Sequence, residues 1–222
     1  MENNVTLAIF DLDNTLLNGD SDHAWGEFMC QKGLVDVDSY REGNDEFHRQ
    51  YDQGCMNIYE YLEFALAALA AHPKAELDQW HKVFMDEVII PIILPQGVEL
   101  VKKHRDAGHH LMMITATNRF VTGPIAEYLG MDTLIATDAE MKDGEFTGKV
   151  EGLPSYQDGK VTRLQQWVEE NGESFEGSYF YSDSQNDLPL LKQVSYPYAV
   201  NPDATLTEYA NTHGWPILDL RQ

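Results

Sequence analysis

The sequence predicts an α/β fold, a Rossmann-like and mostly parallel sheet with an all-helical segment inserted after its first strand. Three observations predict it. Short apolar runs recur at the length of buried parallel strands. Helical patterns separate the later runs. Between about Leu17 and Ile93, by contrast, the chain shows helical periodicity and no convincing strand.

The elements follow in order. VTLAIF from Val5 is β-rich and apolar, and it ends against Asp11. In the insertion, IYEYLEFALAAL sets Ile58, Leu62, Ala65 and Leu69 on one helical face, and ELDQWHKVFMDEV does the same with Leu77, Trp80, Phe84 and Val88. A helical pattern from Gly97 to about Ala107 stops at Gly108, and LMMIT from Leu111 is the next strand. EMKDGEFTGK from Glu140 carries Asp143-Gly144 between short flanks, a favoured two-residue hairpin turn. VTRLQQWVEENG places Val161, Leu164 and Val168 on one face, with Gly172 as the stop. SYFYSD from Ser178 and YAV from Tyr198 complete the strands.

Composition narrows the function. With 222 residues, 43% of them hydrophobic, the chain can bury one large core with a sizeable insertion. A formal net charge of -22 argues against nucleic acid and anionic membranes as partners, since both require basic surfaces. The longest mid-chain apolar run, VIIPIIL from Val88, is short and broken by Pro91, so no membrane span is expected. Only Cys30 and Cys55 are present, and ten residues before Asp11 leave no room for a signal peptide; a cytoplasmic protein, monomer or homodimer, is expected.

Four features carry chemistry. Asp11 and Asp13 end the first strand, two residues apart, so both can face the crevice where open α/β sheets bind ligands. Taken alone, Asp-x-Asp is also a common turn or helix cap. Thr115, in ITATN, follows the strand ending at Ile114. Lys160 sits in the first turn of a helix, where the dipole disfavours a cation, so an anionic partner or plain solvation must accommodate it. YSDSQNDLP from Tyr181 ends another strand in Asp183, followed by Asn186 and Asp187. Three acids in one crevice cannot all stay ionised unaided; a hard cation such as Mg²⁺ beside a phosphoryl group resolves this. Phosphoryl transfer is the expected chemistry.

In that order, DLDNT, Thr115, Lys160 and DSQND resemble the four motifs of the haloacid dehalogenase-like phosphohydrolases, over essentially the whole chain. The insertion, the Glu140 hairpin and the AVNPD run from Ala199 are similar to the subgroup containing phosphoserine phosphatases. The resemblance implies a core of residues 1–16 and 94–222 and a helical cap of residues 17–93. It also implies Asp11 as nucleophile and Asp13 as general acid and base. Thr115, Ala116 (through its amide) and Lys160 would hold phosphoryl oxygens. Mg²⁺ would be bound by Asp11, Asp183 and the Asp13 carbonyl, with Asn186 and Asp187 orienting that set.

The substrate is expected to be a small phosphate monoester, since a cap admits small molecules. Where phosphoserine phosphatases carry two glycines, this chain has Ala116-Thr117, and Asn118 and Arg119 are expected to border the pocket. The ITATN variant resembles histidinol-phosphate phosphatases, and Asp20, Asp22 and Glu27 at the cap entrance would suit a cationic substrate, so histidinol phosphate is expected first. Phosphoserine is the alternative, with Arg41 and Arg49 available for its carboxylate. A phosphomutase and a phospho-Asp receiver switch are rivals. No metal spacing links the eight histidines, which read as surface or core residues, and the cap aromatics read as packing.

Overall fold

The computed structural model describes residues 5–222; residues 1–4, which the sequence assigns to the core, lie outside the described residues. The sheet has seven strands in the order β4-β3-β2-β1-β5-β6-β7. These are β1 (Leu7–Phe10), β2 (His110–Asn118), β3 (Thr133–Lys142), β4 (Glu145–Glu151), β5 (Tyr179–Ser182), β6 (Tyr196–Val200) and β7 (Ile217–Leu218). All pairs are parallel except β3 with β4, the expected hairpin, where Asp143 and Gly144 both adopt positive φ. Strand order reverses at β1, so the crevice beyond its carboxyl end lies between β2 and β5.

Between β1 and Pro95 run α1 (Ser21–Gln31), α2 (Val37–Asp52), α3 (Ile58–Ala70), α4 (Lys74–Phe84), a π-helical turn (Met85–Ile89) and the short α5 (Ile90–Ile92). The π turn corrects the expected face of the last cap helix. One extra residue before Pro91 rotates the apolar stripe, so Leu77, Phe84, Met85 and Ile89 are buried while Trp80 and Val88 are half-buried against the same core. Two backbone bonds tie the ends of the insertion together, Asn18 to Ile92 at 2.7 Å and Leu94 to Leu16 at 3.0 Å.

The rest of the chain adds α6 (Pro95–Asp106), α7 (Arg119–Leu129), α8 (Asp158–Asn171), α9 (Leu188–Leu191) and α10 (Ala204–His213). Alternation along β1 splits the core. Ala8 and Phe10 join the cap-side cluster with Phe28, Leu66 and Phe84, whereas Leu7 and Ile9 pack against Leu164, Leu190 and Leu206. Burial of these side chains, at about 25 cal/mol per Å² of apolar surface, is what holds the helices on both faces.

Candidate active site

Sheet register brings the site together. Phe10 pairs with Met113 of β2 and with Tyr181 of β5. Asp11, Asp13, Thr115 and Asp183 therefore all fall one to three residues beyond a single line across three adjacent strands. The Asp11 amide extends the ladder by donating to the Tyr181 carbonyl at 2.9 Å. Thr115 does not follow the strand, as expected from the sequence, but lies within it. β2 runs on to Asn118 through an irregularity after Ile114, and Thr115 Oγ1 accepts from the Thr117 amide at 3.2 Å.

Lys160 is the centre of the core side. It is not a solvated lysine, being 1% exposed, and its Nζ lies 2.7 Å from Asp11 Oδ1 and 2.8 Å from Asp187 Oδ1. Burial opposes its charge, but Asp11 and Asp187 hold its pKa above the ordinary lysine value. Ser182 Oγ steadies Asp187 at 2.7 Å. The Asp11 carboxyl is pushed up to about 6 by burial against the pull of Lys160, and its Oδ2 is buried without a hydrogen-bond partner. Asp183, half-buried, accepts from Thr15 Oγ1 at 3.1 Å; burial, with Asp11 and Asp187 nearby, pushes it well above the usual carboxylate range.

Asp13 turns toward the cap. Its Oδ1 accepts from the Ser21 amide at 2.6 Å and its Oδ2 from Thr117 Oγ1 at 2.9 Å. Burial, followed by Asp20 and Asp11, pushes it well above the usual range. Its side chain is thus occupied, leaving its backbone carbonyl as the part that fits a metal set.

That set can be tested on the residues themselves. Asp11 and Asp187 share one ammonium, Asp183 stands beside them with only the Thr15 hydroxyl as a recorded side-chain partner, and Asp11 Oδ2 lacks any partner. Excess buried negative charge and an oxygen left unbonded fit a hard divalent cation with oxygen ligands. Among the described residues no group of three or more His, Cys, Asp or Glu side chains forms a metal cluster. Two carboxylates and a carbonyl do not require one.

A pocket opens from Asp11, Asp13, Thr115 and Ala116 into the cap. Asp20 and Asp22 line it, as expected. Glu27 instead pairs with Arg41 at 3.1 Å. Three other expectations need correction. Asn118 caps α7 by accepting from the Val121 amide at 3.2 Å, and it does not line the pocket. Arg119 pairs with Asp138 and borders a separate groove near α4. Asn186 is spent elsewhere: it donates to the Tyr51 carbonyl at 3.1 Å and accepts from Tyr156 and Gln157, tying α2 to the core rather than orienting Asp183.

The missed residues are on α2. Asn44, Phe47, His48 and Tyr51 line the pocket, with His23, Met56, Ile58 and Tyr61 from neighbouring elements. Their spacing of three, four and seven is one helical face of α2, present in the sequence, where Tyr51 reads as packing and His48 as a surface or core residue. His48 Nδ1 lies 3.3 Å from Asp20 Oδ2, and the nearness of this acid, against burial, raises its pKa to about 9. Burial opposes ionisation of Asp20, yet His48 and His23 hold it below the usual range. The lining described here contains no Lys and no Arg.

The comparisons with known proteins now bear on this geometry. The model of the haloacid dehalogenase-like hydrolases matches residues 8–192. The chain belongs to that family. It is 48% identical over 219 residues to a histidinol-phosphatase of Neisseria meningitidis serogroup C, covering 97% of this chain and 99% of that one. It is 32% identical over 217 residues to a phosphoserine phosphatase of Mycobacterium tuberculosis, covering 96% of this chain and 70% of the other. Among solved structures, a protein of unknown function from Bordetella pertussis superposes with a TM-score of 0.92 at 45% identity, covering 98% of this chain and 99% of that one. A substrate-bound phosphoserine phosphatase superposes with a TM-score of 0.73 at 20% identity, covering 100% of this chain and 95% of that one, which speaks for the fold alone. The mostly parallel α/β core with its helical cap is the architecture of this family of hydrolases.

Proposed function

We propose that the chain is a Mg²⁺-dependent phosphatase of small cationic phosphate monoesters, with histidinol phosphate as its substrate. The observation that carries this is the charge of the pocket. Asp13, Asp20, Asp22, His23 and His48 line it, and neither arginine expected to hold a substrate carboxylate is available. Arg41 pairs with Glu27, and Arg49 pairs with Glu46 on the exposed side of α2. Histidinol phosphate bears an amine and an imidazole and no carboxylate. The Neisseria relative, named for that activity, supports the same reading.

In this proposal residues 17–93 are the cap and residues 1–16 with 94–222 the catalytic core. Asp11, with Oδ1 anchored on Lys160 and Oδ2 free, attacks phosphorus; the phosphorus–oxygen ester bond breaks and the departing alcohol takes a proton from Asp13. Burial and two neighbouring acids favour the protonated form of Asp13, as that role requires. Water then attacks the aspartyl phosphate, returning its proton to Asp13 and freeing Asp11. Thr115 and the Ala116 amide flank the phosphoryl group, and Lys160 balances Asp11. Asp11, Asp183 and the Asp13 carbonyl would hold Mg²⁺, which when bound supplies charge neutralisation to the transferring phosphoryl group. Cys30 and Cys55 are both free thiols, which supports a reducing, cytoplasmic setting; no helix among the described residues is long and apolar enough to cross a membrane.

Phosphate release measured over histidinol phosphate, phosphoserine, nucleotides and sugar phosphates, with Mg²⁺ or with chelator, tests the proposal. A preference for histidinol phosphate that vanishes with chelator supports it. Equal or better turnover of phosphoserine overturns the substrate. A long-lived acyl phosphate formed once per chain overturns turnover in favour of a switch.

A further inference from the structure

Asp20 and Asp22 do not have the same capacity for a ligand. Asp20 is the N-cap of α1 and its carboxylate is full: Oδ1 accepts from the amides of Asp22 and His23, both at 2.9 Å, and Oδ2 faces His48. Asp22 has one recorded side-chain partner, the Tyr61 hydroxyl, for a carboxylate that offers about four acceptor positions. No cation is paired with it. The two also differ in depth. Asp20 adjoins Ser21, whose amide bonds Asp13 at the reacting end, whereas Asp22 is bonded by Tyr61 of α3 in the cap.

The walls around Asp22 are apolar and aromatic. Phe47 meets Tyr61 edge-to-face at 5.4 Å, and Met56 and Ile58 complete this end. At the opposite end is Asp11, 3% exposed, with its unpartnered Oδ2. The phosphoryl group of the proposed reaction takes the Asp11 end, and the Asp22 end suits a flat N–H-bearing group able to lie against rings and donate to a carboxylate.

We propose that Asp22, positioned by Tyr61, is the residue that recognises the imidazole of the substrate, while the inner, saturated Asp20–His48 pair sits beside the amine-bearing carbon. This rests on reading the site as a histidinol phosphate pocket, and it adds what selects the ring. The substrate's ring N–H donates to the free oxygen of Asp22, and Phe47 and Tyr61 enclose the ring. The pair thus discriminates among amine-bearing phosphates that share the same reacting end.

The test compares two substrates, histidinol phosphate and 2-aminopropyl phosphate, which keeps the amine and loses the ring. Asp22→Asn is expected to lower kcat/KM for histidinol phosphate by roughly 10- to 100-fold, mainly through KM, the range for a hydrogen bond to a charged group. The loss with 2-aminopropyl phosphate is expected to be several times smaller. Tyr61→Phe, which removes only the hydroxyl, should shift the ratio the same way by a smaller factor, and Asp22→Glu should restore part of it. Equal losses on both substrates, or a fall confined to kcat, would overturn the assignment. Failure of the underlying reading shows separately, in the wild-type protein: a preference for phosphoserine over both compounds removes the histidinol phosphate pocket before any variant is made. Should Asp22→Asn fail to fold, Tyr61→Phe with the same two substrates decides, since an unchanged ratio there overturns the pairing.

Discussion

Replacing Lys160 with Met tests the electrostatic core most directly. Lys160 is 1% exposed and Met preserves most of its volume, so the perturbation is chiefly electrical. At 2.7 Å and an effective dielectric of about 20, one such pair has a gross attraction of about 6 kcal/mol. The cost of desolvating the charges offsets much of it. What the variant leaves behind is two buried carboxylates, Asp11 and Asp187, with no counter-charge. Stripping one partner from a buried pair typically costs about 3–5 kcal/mol. For a chain of 222 residues that is a fall of roughly 10 °C in Tm. The assay is denaturant unfolding of chelated protein, followed by a double-mutant comparison. Adding Asp187→Asn to Lys160→Met removes one orphaned charge and should recover part of the loss, while phosphatase activity stays low in both. A loss below about 1 kcal/mol, or a second substitution that deepens it, would refute the reasoning, since Lys160 would then not be what neutralises these acids.

Three further outcomes are expected. Asp13→Asn keeps one acceptor for the Ser21 amide and can donate its NH2 to Thr117 Oγ1, so it should fold, but should lose roughly 10²- to 10⁴-fold in kcat, checked by steady-state kinetics beside a thermal melt. Gly159→Ala should destabilise by at least about 2 kcal/mol in urea unfolding, because a Cβ there would lie 2.1 Å from the Pro154 carbonyl oxygen, a backbone atom that cannot yield as a side chain would. His48, raised to about 9 by Asp20, lends stability that is complete below its unfolded value near 6.5 and is lost as pH rises through 9. With a side chain 31% exposed the effect is screened to about 1 kcal/mol, so melts between pH 6 and 9.5 should fall in the wild-type protein and flatten in His48→Gln.

Much of this site was legible in the sequence, for a physical reason. Asp11 and Asp183 lie just past strand ends, and parallel strands are short apolar runs whose termination is easily seen. The elements that stayed hidden break local rules. α7 carries Gly123 and Pro124 in its interior, which hide it from propensity, and only its Asn118 cap and the Gly130 stop announce it. β2 continues past Ile114 through a bulge, which placed Asn118 and Arg119 wrongly beside the substrate when one caps a helix and the other pairs with Asp138. Lys160 shows the opposite case: its position at a helix start looked unfavourable locally, and only the register of β1 and β5 shows which acids balance it. Asn44, Phe47, His48 and Tyr51 had a readable spacing, yet periodicity cannot say whether a face is turned to a core or to a cavity.

The charge distribution gives the two halves of the site different needs. On the core side Lys160 pairs with Asp11 and Asp187 while Asp183, beside them, has no cation, a difference that a divalent cation would offset. On the cap side His48 balances Asp20, while burial and Asp20 push the Asp22 carboxyl up to about 7, a sign that its ionised form lacks a partner. A bare phosphate dianion entering such a pocket meets more carboxylate than ammonium, and repulsion opposes it. A monoester with a cationic tail enters with both demands answered, phosphate toward the metal and ring toward Asp22. Selectivity for cationic phosphates then follows from what the empty pocket leaves unpaired. By the same logic, an added basic side chain near Asp22, as in Ile58→Lys, should weaken histidinol phosphate binding while leaving the Lys160 cluster intact.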